Sequence, residues 1–190
     1  MGKRSKIVLV VMAVALASVI VLRVTQPFEP EPVYQGKKLS EWVIKERRQE
    51  VSEAIRQAGT NAIPVLLRML SANDSPLKAK LMELAQKQHI IKIQYIPAVL
   101  WNAYGCWGFD LLGADGQSAV PALINIADEN ISPKCQIYAI QSLAYIGPSA
   151  KKAVPALLRW ATNANEEVRY HAKSSLRRID PEAAAKAGIK

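Results

Sequence analysis

The sequence AVPALL at residues 153–158 repeats, with small changes, as AVPALI at residues 119–124 and as AIPVLL at residues 62–67. In each copy, apolar or small residues recur at positions i, i+3, i+4 and i+7, the spacing of one face of an α-helix. A proline stands near the start of each copy, where its missing N–H removes no hydrogen bond. We therefore predict three helices, each with one buried face. These faces consist of Ile63, Leu66, Leu67 and Leu70, then Val120, Leu123, Ile124 and Ala127, then Val154, Leu157, Leu158 and Ala161.

A second helix is predicted after each of the last two copies. Residues 138–148 read YAIQSLAYIGP and residues 171–181 read HAKSSLRRIDP, so Ala, Leu and Ile recur at a spacing of 33 residues. The Gly-Pro and Asp-Pro pairs at their ends are helix stop signals. Pro121 and Pro155 are 34 residues apart, whereas Pro64 and Pro121 are 57 apart, so the first interval holds an insertion. Pairs of helices at this period indicate a helical solenoid, in which each pair buries its apolar face by stacking.

The pattern P-x-L-x-x-L followed by A-x-x-x-L-x-x-I-G resembles the HEAT repeat. It is especially similar to the short bacterial version that also occurs in phycobilisome-lyase-type repeats. Residues 116–181 carry this resemblance closely, and residues 50–113 carry it more loosely. In that family a Val-Arg pair often opens the second helix. Val168-Arg169 matches it, whereas Cys135-Gln136 stands at the equivalent place in the preceding copy.

The start of the domain adds a second resemblance. The pattern Tyr34-x-Gly36-Lys37-x-Leu39-x-x-Trp42 resembles the entry to bacterial membrane-tethered HEAT-like proteins. We therefore predict an all-α fold. It consists of one N-terminal transmembrane helix and a short right-handed α-solenoid of three to four HEAT-like hairpins over residues 39–190.

The N-terminal segment is apolar. Residues 7–22 carry no charge, and Lys3, Arg4 and Lys6 precede them. As a helix, residues 7–24 would span ~27 Å, just enough for a thin hydrocarbon core. An uncleaved signal anchor over residues 1–24 is the favoured interpretation, because the apolar run continues to Leu22. The alternative is a signal peptide cleaved after Ala17, which would leave a secreted or periplasmic protein.

Orientation and the link to the domain follow from charge and proline content. Basic residues before the apolar run stay in the cytoplasm under the positive-inside rule, so the domain is predicted on the extracytoplasmic side of the cell membrane. Residues 25–38 contain Pro27, Pro30 and Pro32 and are predicted to form a short, stiff stalk.

Further helices are predicted between the stalk and the second copy of the repeated phrase. Leu39–Ala58 should be helical, either as one helix or with a break near Arg47-Arg48, with Ser40 as its N-cap and Leu39 and Ile44 as a hydrophobic staple. Ser75-Pro76 should open a helix to about Lys87, and residues 89–94 (HIIKIQ) should be an extended link.

A central helix is predicted over Tyr95–Leu112. Leu100, Tyr104, Trp107 and Leu111 lie on one line of this helix, which is apolar on several sides, so a central position is expected. Gly105 and Gly108 would let a neighbouring helix approach closely.

No catalytic, metal or cofactor motif is found. HExxH, CxxC and glycine-rich phosphate loops do not occur in the sequence. Cys106 and Cys135 are predicted to be two buried thiols, since the repeat register places them too far apart for a disulfide. The pairs Asp128-Glu129 and Glu166-Glu167 are predicted just before second helices, where acids favour the positive end of the helix dipole. A non-enzymatic protein is therefore expected, although an enzyme remains the rival by analogy with chromophore lyases, an analogy of fold alone.

A basic stripe is the candidate binding site. Arg169, Lys173 and Arg177 follow one another at i, i+4 and i+8, with Arg178 beside them, opposite the apolar line of the last helix. A solvated helix face is the plain interpretation. The sharper one is a site for an acidic protein surface or for anionic lipid headgroups, whereas nucleic acid is disfavoured because the anchor holds the domain away from it. The sequence thus indicates a membrane-anchored interaction scaffold whose protein partner it does not identify.

The first prediction tests the orientation of the chain. A reporter fused after Lys190 should be active outside the cytoplasm, and changing Lys3, Arg4 and Lys6 to acids should weaken that orientation. The measurement is reporter activity in intact cells. Activity of the unmodified fusion in the cytoplasm would contradict the anchor, whereas a mature chain beginning at Ser18 would favour the cleaved signal peptide.

Overall fold

The computed structural model describes residues 31–45, 48–78, 80 and 95–189. The predicted anchor over residues 7–24 and the predicted link over residues 89–94 lie outside these residues. Among the described helices, none is long and apolar enough to span a bilayer.

Nine labelled helices account for most of the described chain. They pair along the sequence into four hairpins, α1–α2, α3–α4, α5–α6 and α7–α8, and α9 packs against α8 after the last hairpin. We call the first helix of each hairpin its A helix and the second its B helix. This arrangement confirms a helical solenoid within the described residues. The helices are α1 Leu39–Lys45, α2 Arg48–Ala58, α3 Ile63–Leu70, α4 Ala98–Leu112, α5 Val120–Glu129, α6 Pro133–Ile146, α7 Val154–Trp160, α8 Glu166–Ile179 and α9 Pro181–Lys186.

A short 3₁₀ corner joins each of the first three hairpins to the next. The corners Gly59–Ala62, Gly113–Ala119 and Gly147–Ala153 lead into α3, α5 and α7. Their first residues have φ values of 53°, 53° and 71°. Glycine is required at this position because a Cβ atom disfavours positive φ. The stop signal predicted at Gly147-Pro148 therefore begins a corner that starts a new hairpin, whereas the one at Asp180-Pro181 leads into α9.

The A helices bury the leucine face that the repeated phrase predicts. Leu66, Leu123 and Leu157 are completely buried, and the proline of each phrase lies at the first or second helical position. The prediction fails at the i+4 position, where Leu67 and Ile124 are only half-buried. Leu158 is 37% exposed, so this residue lies at the edge of the face and outside the core.

The B helices stack in one layer, with α4 between α2 and α6, and α6 between α4 and α8. This confirms the central position predicted for α4. The close approach predicted at its glycines is also present. A Cβ atom on Gly108 would lie 2.2 Å from Leu66 Cδ2, and one on Gly105 would lie 2.8 Å from the Leu66 carbonyl oxygen. Any larger residue at Gly105 would push α4 away from the backbone of α3.

The predicted start of α4 is wrong, and the structure shows which side of the helix is buried. Pro97 is extended, with φ −58° and ψ 146°, so the helix begins at Ala98, whose N–H donates to the Asp74 carboxylate over 2.6 Å. The line Leu100, Tyr104, Trp107 and Leu111 is exposed or half-buried. The buried line of α4 is instead Asn102, Gly105, Cys106, Phe109 and Leu112.

The insertion after α3 begins as predicted. The backbone is helical from Pro76, and the Ser75 hydroxyl accepts a hydrogen bond from the Lys78 N–H over 3.2 Å. The predicted continuation to Lys87 lies outside the described residues.

A small β-hairpin precedes α1. Its strands, β1 Val33–Tyr34 and β2 Lys37–Lys38, are antiparallel. The Trp42 indole N–H donates to the Tyr34 carbonyl over 2.9 Å, and the two rings are 5.5 Å apart. Residues from Glu31 onward belong to the helical unit. The predicted stalk over residues 25–38 therefore reaches too far, because its last residues pack on the domain.

The predicted N-cap at Ser40 is also wrong. Helix α1 begins one residue earlier, at Leu39. The N–H of Ser40 donates to the Glu31 carboxylate, which also accepts a hydrogen bond from Arg68 over 2.9 Å. The negative charge at the start of α1 is therefore supplied by Glu31, from the chain that enters the domain.

The second prediction tests the repeat register. Leu123→Ala and Leu157→Ala should each lower the free energy of unfolding by about 2–5 kcal/mol, because both side chains are completely buried. Leu158→Ala is the matched control, with an expected loss below about 1 kcal/mol at this partly exposed position. Denaturant unfolding followed by circular dichroism measures all three. Equal losses at Leu157 and Leu158 would contradict the register.

Candidate functional site

The outward line of the B helices forms one surface. Residues 34 positions apart in α4 and α6, and 33 apart in α6 and α8, occupy equivalent places, since the helices end at Leu112, Ile146 and Ile179. One line of each helix is exposed or half-buried throughout. We call these twelve residues the B-helix face. They are Leu100, Tyr104, Trp107 and Leu111 on α4, Lys134, Tyr138, Gln141 and Tyr145 on α6, and Glu167, His171, Ser174 and Arg178 on α8.

Three side-chain contacts join the α6 and α8 parts of this face. Lys134 Nζ lies 2.7 Å from Glu167 Oε1, and Gln141 Nε2 lies 3.1 Å from His171 Nδ1. The Arg178 guanidinium lies 5.3 Å from the centre of the Tyr145 ring. Because these contacts connect residues about 30 to 33 positions apart, they show that the two helices present equivalent residues side by side.

The face changes in character from α4 to α8. Its α4 part is apolar and aromatic, and its α6 part combines two tyrosines with Gln141. Its α8 part is polar and ends at Arg178. The sequence shows the α4 line but not that it faces outward, because α4 is apolar on several sides. The recurrence of tyrosine at Tyr104 and Tyr138, 34 residues apart, is the signal that would have marked it as a surface.

A polar side chain near the start of α4, α6 and α8 donates hydrogen bonds to backbone carbonyls of the chain just before that helix, at the end of the A helix or in the turn that follows it. Asn102 Nδ2 donates to the carbonyls of Met69, Leu70 and Ala72 over 3.1, 2.7 and 3.0 Å. Gln136 Nε2 donates to the Ala127 carbonyl over 2.8 Å. Arg169 Nη1 donates to the carbonyls of Asn163 and Ala164 over 2.8 and 3.4 Å. We call these three residues the carbonyl clamp.

The clamp shows that Gln136 replaces the arginine of the Val-Arg pair without loss of the contact. Asn102 and Gln136 are both buried, where an unpaired amide would be costly. Arg169 is half-buried and bonded to backbone. The basic stripe therefore includes one residue whose role is to close a hairpin.

The remaining members of the predicted stripe do not all lie on the B-helix face. Tyr170 and Lys173 on α8 are equivalent to Ile137 and Ile140 on α6. The two isoleucines are buried where α8 packs on α6. Lys173 is half-buried and Arg177 is exposed on this last B helix. They lie on the last of the described B helices, where polar residues stand at places that are apolar on α6. Of the four predicted residues, Arg178 alone lies on the B-helix face.

The predicted acidic pairs also separate. Asp128 and Glu129 are the last two residues of α5, and a three-residue turn separates them from the start of α6 at Pro133. The Asp128 carboxylate instead lies 2.6 Å from Arg159 Nη2 and accepts from the Trp160 indole N–H over 2.9 Å, which joins the A helices α5 and α7. Glu166 and Glu167 are in the first turn of α8, as predicted.

The titratable groups near the face are poorly suited to nucleophilic or acid–base chemistry. Burial raises the pKa of the Cys106 thiol to about 12 and also raises the pKa of Cys135, so both are thiols at neutral pH. Both cysteines are free and buried, as predicted. Burial lowers the pKa of His171, which leaves a neutral imidazole beside Gln141. No group of three or more His, Cys, Asp or Glu in the described part of the chain could hold a metal ion.

The hairpins, glycine corners and clamp define a helical-hairpin repeat protein. Residues 120–187 match the family model described as HEAT repeats. This confirms the HEAT repeat region predicted from residues 116–181, and the finer similarity to lyase-type repeats stays a prediction. No curated protein and no solved structure matches the chain.

The third prediction separates the clamp from the rest of the stripe. Arg169→Ala should lower the free energy of unfolding by about 1–3 kcal/mol, because the Asn163 and Ala164 carbonyls lose their donor. Lys173→Ala, the matched control on the same helix, should cost less than about 1 kcal/mol. Denaturant unfolding of the purified protein measures both, and equal losses would show that the clamp does not stabilise the hairpin.

Proposed function

We propose that this protein is a membrane-anchored, non-enzymatic interaction scaffold that binds a protein partner on its B-helix face. The observation that carries this proposal is the row of half-exposed aromatic side chains across successive B helices, Tyr104 and Trp107 on α4 and Tyr138 and Tyr145 on α6. HEAT repeats generally mediate protein–protein interaction, and the match of residues 120–187 supports the same role here.

The chemistry of the face favours a protein partner. Tyrosine, tryptophan and arginine are enriched at protein interfaces and dominate their binding energy. These large aromatic side chains are half-exposed on a rigid layer of helices. They offer a large contact area and lose little conformational entropy when a partner binds. The clamp ties α4 and α6 to their A helices and α8 to the turn before it, which supports a surface that is formed before any partner binds.

The membrane location rests on the sequence. The uncharged run of residues 7–22 and the basic residues before it support a signal anchor with the domain on the extracytoplasmic side. The absence of enzymatic activity is supported by the protonated, buried thiol of Cys106 and by the neutral His171, neither of which is prepared to act as a nucleophile or a general acid at neutral pH.

The fourth prediction locates the binding surface. A photo-crosslinking amino acid placed at Tyr104 or Tyr138 in the full-length protein should join a defined partner in native membranes. The same residue at Asn125 or Leu158, exposed positions on the A helices α5 and α7, is the control and should give little product. Crosslinked bands on a gel, identified by mass spectrometry, give the result. Products from the A-helix positions alone would contradict the proposed surface.

A further inference from the structure

We propose that the partner segment is an acidic peptide whose carboxylates bind at the corner formed by Tyr145 and Arg178. This inference rests on the proposed function, since it names the class of partner for the same face. It replaces the predicted stripe with a smaller site that the packing of α6 and α8 brings together.

The stacked guanidinium is the first support. Arg178 lies in the last turn of α8, with its guanidinium 5.3 Å from the Tyr145 ring centre. A guanidinium held against an aromatic ring is already ordered, and its N–H edge matches a carboxylate in a bidentate pair. Binding an acid there therefore costs less side-chain entropy than binding it with a mobile lysine.

The charges around the corner are mostly positive. Residues 134–190 contain ten basic and four acidic residues. Arg177 is exposed beside Arg178, and Lys173 is half-buried on the same helix. Two acids face the region. Asp110 is exposed on α4, and the Asp180 carboxylate lies 3.8 Å from Lys151 Nζ. Further along the face, Lys134 and Glu167 neutralise each other. The corner is therefore the positive end of an otherwise aromatic surface.

The spacing of the helices sets the length of the peptide. Neighbouring helix axes are ~8–10 Å apart, so α4 and α8 are separated by roughly 16–20 Å. An extended chain advances ~3.3 Å per residue, so about six residues cross from one to the other. The peptide that fits has apolar side chains over Tyr104 and Trp107 and acidic side chains about six residues away, at Arg178.

Selection from a random 12-residue peptide library tests this directly. The library, displayed on phage, is applied to the full-length protein in uncharged detergent. We expect the selected sequences to be rich in Asp and Glu and to carry apolar residues at a separation of about six positions. A synthetic peptide from this set should bind Arg178→Glu roughly tenfold or more weakly, as the loss of a charge-assisted pair predicts. Arg178→Lys should bind with intermediate affinity, because lysine keeps the positive charge but lacks the planar guanidinium that pairs with a carboxylate through two N–H groups.

The control is Lys186→Glu, an exposed position on α9 with the same change of charge. It should bind the peptide as the unmodified protein does, and all variants should unfold at the same temperature. Selected sequences without acidic residues, or equal binding by Arg178→Glu, would overturn the proposal. A lipid surface would replace the acidic peptide if two results came together. The protein would be retained on phosphatidylserine-coated beads unless it carried Arg178→Glu, and the library would yield no acidic peptide. The crosslinking at Tyr104 and Tyr138 would still succeed if the scaffold function holds and the acidic class is wrong.

Discussion

The fold depends on a polar side chain near the start of α4, α6 and α8 that ties each of these B helices to carbonyls of the backbone just before it. The last carbonyls of a helix have no partner within that helix, and in this solenoid they lie where the chain turns back into a packed layer. Asn102 and Gln136 satisfy carbonyls at the end of α3 and α5, and Arg169 binds two carbonyls of the turn that follows α7. The three side chains occupy equivalent places on α4, α6 and α8, so each of these helices is tied to the backbone that precedes it. These B helices then stack in register, and their exposed lines of residues together form the B-helix face.

This constraint explains which features the sequence predicts and which it does not. The leucines of the repeated phrase, the first-turn prolines and the glycine corners follow from local rules, because each depends on one helix or one turn. The clamp is harder to predict from the sequence, because three different side chains, Asn, Gln and Arg, donate the hydrogen bonds to the backbone carbonyls. Only the geometry shows that Gln136 reaches the Ala127 carbonyl as Arg169 reaches that of Asn163.

The B-helix face could not be predicted from the sequence for a related reason. Helix α4 is apolar on several sides, so its own pattern does not decide which side is buried. The close contact of Gly105 and Gly108 with Leu66 decides it, because only that side of α4 can approach α3. The basic stripe divides for the same reason. Spacing along α8 groups Arg169, Lys173 and Arg177, but packing assigns Arg169 to the clamp and leaves Lys173 and Arg177 off the B-helix face.

The central claim is that the B-helix face is the surface on which the native partner lies. Hydroxyl-radical footprinting with mass spectrometry tests it most directly, by comparing the full-length protein in native membranes with the same protein purified in detergent. We expect Tyr138 and Tyr145 to react more slowly in native membranes than in detergent. Leu158, which is 37% exposed on α7, should react equally in the two samples. Unchanged reactivity at both tyrosines, with protection at Leu158, would contradict it.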